Sequence, residues 1–260
     1  MPDTFDELWA AAEKITDKSK ELYGYGSRGQ RSAAVTQFSP FLYGGGGDWI
    51  VNGKATIDTP QAIKAFKFYG DILRNFGPEG GTMLHWAEST SVFMEGKAAM
   101  IYDANVFKSL YENPKESKVA GKVGYAVIPA GPAGSVPHVS NWSLSINKNS
   151  DPKRQKAAWL FIQWATNKPN ALGALLAGVP AGRASAWDSA EYKAGDKQPD
   201  WTAGTKKSFE LGQPQWNPPV INVPEIRDIT GQVIVDAIQG KDVAESAKKA
   251  AELMDKKMEI

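Results

Sequence analysis

Two histidines, His85 and His138, and no cysteine narrow the chemistry open to this 260-residue chain. Without thiols there are no disulfides, no thiolate metal sites, no iron–sulfur clusters and no cysteine nucleophile, and no redox compartment is singled out. The histidines lie far apart and form no HExxH or paired-ligand spacing, so zinc or triad chemistry would need residues from elsewhere. Gly24-Tyr25-Gly26-Ser27-Arg28-Gly29 matches GxGxxG literally. A dinucleotide site also needs a strand before it, a helix after it and an acid about 20 residues on. Here the apolar run before it is short, and the nearest candidate acid, Asp48, follows four glycines. A flexible turn is the favoured reading, and no GxxxxGK[ST] phosphate loop occurs.

Glycoside hydrolysis needs two carboxylates at a defined separation across a sugar. The chain has 29 acids, and most fall on polar helix faces, where solvation is the default role. Asp103 differs, because it follows the apolar run at 98–102 and so sits at the C-terminal end of a strand, where α/β folds bind ligands. Its bland alternative is an N-cap for a helix beginning near Asn105. Trp142 follows Ser140-Asn141 at a loop–strand junction, a position suited to stacking on a ring-shaped ligand. Trp159 and Trp164 lie on an amphipathic helix and read as core. Arg183, in a Gly/Pro loop, can donate to a hydroxyl or carboxylate.

The elements that must position these residues follow from pattern. Thr4 with Glu7 forms a capping box for a first helix, and Thr59-Pro60 opens a second with Ile63, Phe66, Tyr69, Ile72 and Leu73 on one face. Residues 33–42 read as helix broken near Pro40, and the glycines at 44–47 as loop. Strands are expected at 98–102, 123–128 and 142–146. Asp151-Pro152 caps a further helix, and two helices close the chain around 226–238 and 243–254. Helices alternating with short apolar strands argue for an α/β fold. Composition agrees with a globular protein, at 42% hydrophobic and net charge +1. That balance offers no basic excess for nucleic acid. No apolar run is long enough to span a bilayer, and the opening residues carry no signal peptide.

Several segments, taken in order, resemble the extracellular solute-binding proteins of ABC-type sugar importers. The opening Pro2-Asp3-Thr4-Phe5-Asp6-Glu7-Leu8 is similar to that family's P-x-T-[WF]-[DE]-E-L segment. Phe93-Met94-Glu95-Gly96-Lys97-Ala98-Ala99-Met100 is similar to its F-x-x-G-K-A-A-M signature, and Val123-Gly124-Tyr125-Ala126-Val127-Ile128-Pro129 to its V-G-x-A-x-x-P strand. Asn141-Trp142-Ser143-Leu144-Ser145-Ile146 followed by Ala157-Ala158-Trp159-Leu160-Phe161-Ile162 is similar to its G-W-x-L-x-I … A-x-F-I run. Tyr102-Asp103-Ala104, Trp164-Ala165-Thr166 and Val223-Pro224-Glu225-Ile226 resemble the branch that binds sugar alcohols and small sugars.

The resemblance implies a type II periplasmic-binding-protein-like α/β fold of two lobes with the ligand between them. It implies that residues 1–145 and 205–260 form the second lobe and 146–204 part of the first, whose N-terminal part is absent. An exposed apolar face and possible self-association are expected of such an incomplete lobe. Trp142 matches the family's stacking tryptophan, with Asn141 beside it where relatives often have glycine. Asp103 matches a strand-end contact to ligand hydroxyls, and Arg183 a cleft-loop arginine. Asn105, Gln37, Trp216 and Arg227 occupy comparable cleft-facing segments. The implied function is binding without catalysis: a small carbohydrate or polyol is delivered to an ABC permease, in the periplasm or outside the cell, with no cofactor or metal. The rival is a carbohydrate-active hydrolase using paired carboxylates.

Overall fold

The Thr4 hydroxyl accepts the N–H of Glu7 at 3.2 Å, and the Glu7 carboxylate accepts the N–H of Thr4 at 3.3 Å. This reciprocal cap starts α1 (Phe5–Ile15) in a computed structural model that describes residues 1–259. Thr4→Ala is expected to lower stability by about 1 kcal/mol, read as a shift in urea midpoint at unchanged slope. An unmoved midpoint would show that the cap contributes nothing.

Helix α2 (Arg31–Gly44) runs straight through Pro40, where a break was expected. Pro40 has no N–H for the Thr36 carbonyl four residues back, and the Ser39 hydroxyl donates to that carbonyl instead, at 2.9 Å. The helix is buried around its whole circumference over 33–42, so it carries no amphipathic period to read. A two-residue hairpin, β1 (Ile50–Val51) with β2 (Lys54–Ala55), turns through Asn52-Gly53. Both turn residues have positive φ, 51° and 72°, the signature of a type I′ turn that the sequence reading passed over.

Helix α3 (Pro60–Phe76) begins at Thr59-Pro60 and stops at Gly77 as its sequence requires. It is followed by α4 (Trp86–Met94), α5 (Lys108–Tyr111), α6 (Pro152–Ala165), α7 (Lys168–Leu176), α8 (Ala184–Trp187), α9 (Ala190–Gly195), α10 (Pro199–Leu211), α11 (Val223–Ile238) and α12 (Val243–Lys257). The main core forms where α11 packs on α2, α3 and α12. Close approach there depends on Gly231, since a Cβ at that position would lie 2.4 Å from the Arg31 carbonyl carbon. Phe38 stacks on Phe66 at 4.2 Å between ring centres, with Trp49 and Tyr69 edge-on to it. A smaller core gathers Leu175, Ala186, Trp187, Tyr192 and Trp201 from α7 to α10, of which α7 and the end of α10 show a helical pattern in the sequence while Pro/Gly content hid α8 and α9.

Several strand expectations need correction. Gly24–Gly29 is not a turn: Tyr23 and Gly26 form parallel bridges with Ala98 and Ile101. The glycines there have no positive φ. Two of them allow close packing instead, since a Cβ on Gly24 would meet the Ala12 carbonyl oxygen and one on Gly29 the Gly81 carbonyl oxygen, each at 2.1 Å. None of the three expected strands forms a regular ladder: 98–102 makes two isolated bridges, 123–128 and 142–146 make none, and 142–145 is solvent-exposed. Trp159 and Trp164, expected in a core, are exposed on α6 together with Leu160 and Phe161, and no residue of that helix is buried.

Candidate functional site

Two parallel extended segments end side by side, and each delivers a charged side chain at its C-terminal end. Residues 22–26 lead to Arg28, and 98–102 lead to Asp103. Arg28 donates from Nε and Nη2 to the two Asp103 oxygens, with the Nε bond at 2.9 Å. The Asp103 side chain is wholly buried and that of Arg28 is 13% exposed. Gln37, on buried α2, adds a donor from Nε2 to Asp103 Oδ1 at 3.1 Å. Asp103 Oδ1 also accepts the N–H of Ala104 at 2.7 Å. The 3₁₀ turn starting at Asn105 has no side-chain cap, so Asp103 is occupied by the arginine rather than by the helix-capping alternative.

The rest of the cluster arrives from the far end of the chain. Residue 138 bridges in parallel to 213, which brings 213–217 beside the strand ends. His138 Nδ1 lies 3.0 Å from the Tyr102 hydroxyl, and its ring centre is 6.4 Å from that of Trp216. The Arg227 guanidinium sits over the Trp216 ring at 5.2 Å and is held by the Ser32 carbonyl and the Thr36 hydroxyl of α2. Burial, and then the nearby Arg28, pull the Arg227 pKa down. His85, the N-cap of α4, has its pKa lowered first by burial and then by Arg28. The result is a polar patch of two guanidiniums and one carboxylate against an indole. Gln37 Oε1 is buried there with no hydrogen-bond partner.

Four of the residues expected to bind ligand are therefore gathered here: Asp103, Gln37, Trp216 and Arg227. Asn105 lies slightly apart, donating from Nδ2 to Thr205 at 3.3 Å while its carbonyl accepts the Trp201 indole N–H. Trp142 is fully exposed, on the same extended segment as exposed Asn141. Arg183 donates from Nε and Nη2 to the Thr166 carbonyl at the end of α6. Sequence reasoning missed Arg28, His138 and Tyr102. The signal for Arg28 was weaker than for Asp103, since Gly26-Ser27 separate it from the short apolar piece Leu22 to Tyr25.

His138 shows how strongly the patch excludes protons. Burial, reinforced by Arg28, pushes its pKa from 6.5 to about 4. The unfolded chain then binds a proton that the folded chain refuses, so stability falls as the pH drops from 6.5 towards 4. The loss amounts to about 3 kcal/mol at most. Urea midpoints measured across that window should fall more steeply for the wild-type protein than for His138→Gln, and equal slopes would remove His138 as the cause.

Residues 2–172 match the family model described as bacterial extracellular solute-binding protein. The erythritol/L-threitol-binding protein of Mycolicibacterium smegmatis is 30% identical over 188 residues, covering 70% of this chain and 39% of that protein. The crystal structure of an ABC transporter solute-binding protein from Agrobacterium radiobacter, in complex with ribitol, superposes with a TM-score of 0.88 at 29% identity. It covers 98% of this chain and 65% of that one. A solute-binding protein from Agrobacterium vitis with bound D-mannitol gives 0.81 at 28% identity, over 98% of this chain and 66% of that one. The chain thus spans less than half of the curated relative and about two thirds of the solved ones, and it shares their type II periplasmic-binding-protein fold. By its family-model match and its fold, the chain belongs to the bacterial extracellular solute-binding protein family.

Proposed function

We propose that this chain carries most of the ligand-binding surface of the substrate-binding component of an ABC importer. The component holds a small carbohydrate or sugar alcohol and performs no chemistry on it. The observation that carries this reading is the buried Arg28–Asp103–Gln37 group, placed at strand ends beside Trp216 and Arg227. It combines fixed donors and acceptors with an aromatic face, which suits a ligand that presents hydroxyls and a C–H surface. Residues 1–145 and 205–260 are assigned to the second lobe and 146–204 to part of the first, with the ligand between the lobes. Asp103, Gln37, Asn105 and Arg227 serve the ligand hydroxyls. Trp142, with Asn141, is free to stack on the ligand as the lobes close. Arg183 joins them by leaving the Thr166 carbonyl. Each ligand hydroxyl that is lost strands a buried polar group, at about 1–3 kcal/mol.

Closure would present a distinct shape to a membrane permease, on the periplasmic or outer side of the membrane, with the protein soluble or lipid-anchored. The exposed apolar face of α6 offers a surface for self-association. The hydrolase alternative requires two carboxylates flanking the ligand, whereas the group gathered here holds one, Asp103, and that one is paired with Arg28.

Titration calorimetry of ribitol, D-mannitol, erythritol and maltose tests the reading. Saturable binding of one of them is expected, weakened at least tenfold by Trp142→Ala, or about 1.4 kcal/mol. Turnover of a chromogenic glycoside would transfer the protein to the hydrolases. Unchanged affinity in the variant would take Trp142 out of the site.

A further inference from the structure

The polar patch at the strand ends is not balanced in charge. Asp103 pairs with Arg28, but among the described residues no carboxylate pairs with Arg227. The acids nearest to it in sequence are engaged elsewhere, Asp228 by Arg31 and Glu225 by Lys257. Glu88, at the exposed start of α4, accepts the His85 N–H. Arg227 spends Nε and Nη2 on the Ser32 carbonyl and the Thr36 hydroxyl, both uncharged, and no acceptor meets its Nη1 among the described residues. Arg28 also keeps Nη1 free, since Asp103 takes its Nε and Nη2. The excess positive charge acts on the basic groups around it. After burial, Arg28 is the next cause that lowers the pKa of Arg227, of His85 and of His138. Gln37 has the opposite need. Its Nε2 faces the Asp103 carboxylate, which can only accept, so the amide's orientation is fixed and its buried Oε1 is left without a donor.

We propose that the ligand of this site is a polyhydroxylated carboxylate, a sugar acid of the aldonate type, with its carboxylate on Arg227 and a hydroxyl donating to Gln37 Oε1. The proposal narrows the ligand class of the site described above and rests on the binding-protein reading. Arg227 and Gln37 reach the ligand from one place, because Arg227 is held by Thr36, the residue next to Gln37 on α2. A neutral polyol can satisfy Gln37 and accept a hydrogen bond from Arg227. It nevertheless leaves a guanidinium without a counter-charge as the site loses water. A carboxylate supplies that charge in the planar form with which a guanidinium pairs. Asp103 already answers Arg28, so a single negative charge suffices. A phosphate ester, with about −1.5 to −2 charges at neutral pH, exceeds what the patch leaves open.

Calorimetry on matched pairs at neutral pH tests this: erythritol with erythronate, ribitol with ribonate, and D-mannitol with D-mannonate. In at least one pair the acid is expected to bind at least tenfold tighter than its own alcohol. Arg227→Gln should erase that ratio, and Arg227→Lys, which keeps the charge without the planar fork, should retain part of it. A general loss of fold would weaken both members of a pair together and leave their ratio unmoved. If every alcohol binds as tightly as its acid, the sugar-acid assignment is overturned while the binding-protein reading stands. A ratio that survives Arg227→Gln, or ribitol 5-phosphate binding tighter than ribonate, overturns it equally. Saturable binding of no member of any pair overturns both.

Discussion

Asp103→Ala is expected to lower stability by about 3–5 kcal/mol and to abolish polyol binding. The Asp103 side chain has no solvent exposure and the Arg28 side chain has 13%, so the variant leaves a guanidinium buried with no counter-charge. The Gln37 amide loses its acceptor in the same step. Arg227, whose pKa is lowered by burial and then by Arg28, would face a second cation with nothing between them to compensate it. Asp103→Asn keeps the shape and one acceptor and should be milder in stability. The informative partner is the double variant Asp103→Leu with Arg28→Met. Removing both charges together should restore much of the stability, since apolar replacements of a buried ion pair are often neutral, yet it should not restore binding. Urea denaturation and calorimetry on the set separate the two roles. An Asp103→Ala protein within 1 kcal/mol of wild type would mean that water reaches Arg28 and that the buried pair described here is wrong.

Phe38→Ala is the second large effect, at about 3–5 kcal/mol. Its ring is fully buried between Phe66, Trp49 and Tyr69, and it holds α2 against α3. The neighbouring residue on α2 is Gln37, so the core contact and the polar contact are made by adjacent positions of one helix. Phe38→Leu should recover more than half of the loss by refilling the volume. Ligand affinity of the folded fraction should change far less than in Asp103→Ala, because the Gln37 donor is set by the helix backbone. A Phe38→Ala protein that keeps its urea midpoint would show that the cavity collapses and that packing here is loose.

What could be read from the chain was local. Caps at Thr4, Thr59 and Asp151 specify helix starts because the side chain that satisfies the orphan N–H groups lies within three residues of them. Amphipathic α3 announced its buried face through the 3.6-residue period. Asp103 was legible as the residue that ends an apolar run, whereas its buried ion pair with Arg28 was not. Arg28 was less legible still, because Gly26-Ser27 separate it from its short apolar piece, and glycines at 24, 26 and 29 looked like conformational freedom when two of them serve close packing. α2 escaped a full reading because a helix buried on all sides has no period, and because Ser39 takes over the hydrogen bond that Pro40 forfeits.

The amino-acid sequence by itself determined where the capped and amphipathic helices begin, that Asp103 ends an apolar run, and which family the chain resembles, since each depends on neighbours a few residues apart or on motifs in order. Only the tertiary structure decided that Arg28, Gln37, Asp103, Trp216 and Arg227 share one patch, because the hydrogen bonds that fix Arg28, Gln37, Asp103 and Arg227 join residues 66 to 195 apart along the chain. It also decided that Trp159 and Trp164 face solvent rather than a core. An amphipathic helix encodes that one of its faces seeks apolar company, but which surface supplies it depends on chain packing at long range, and no local pattern carries that information.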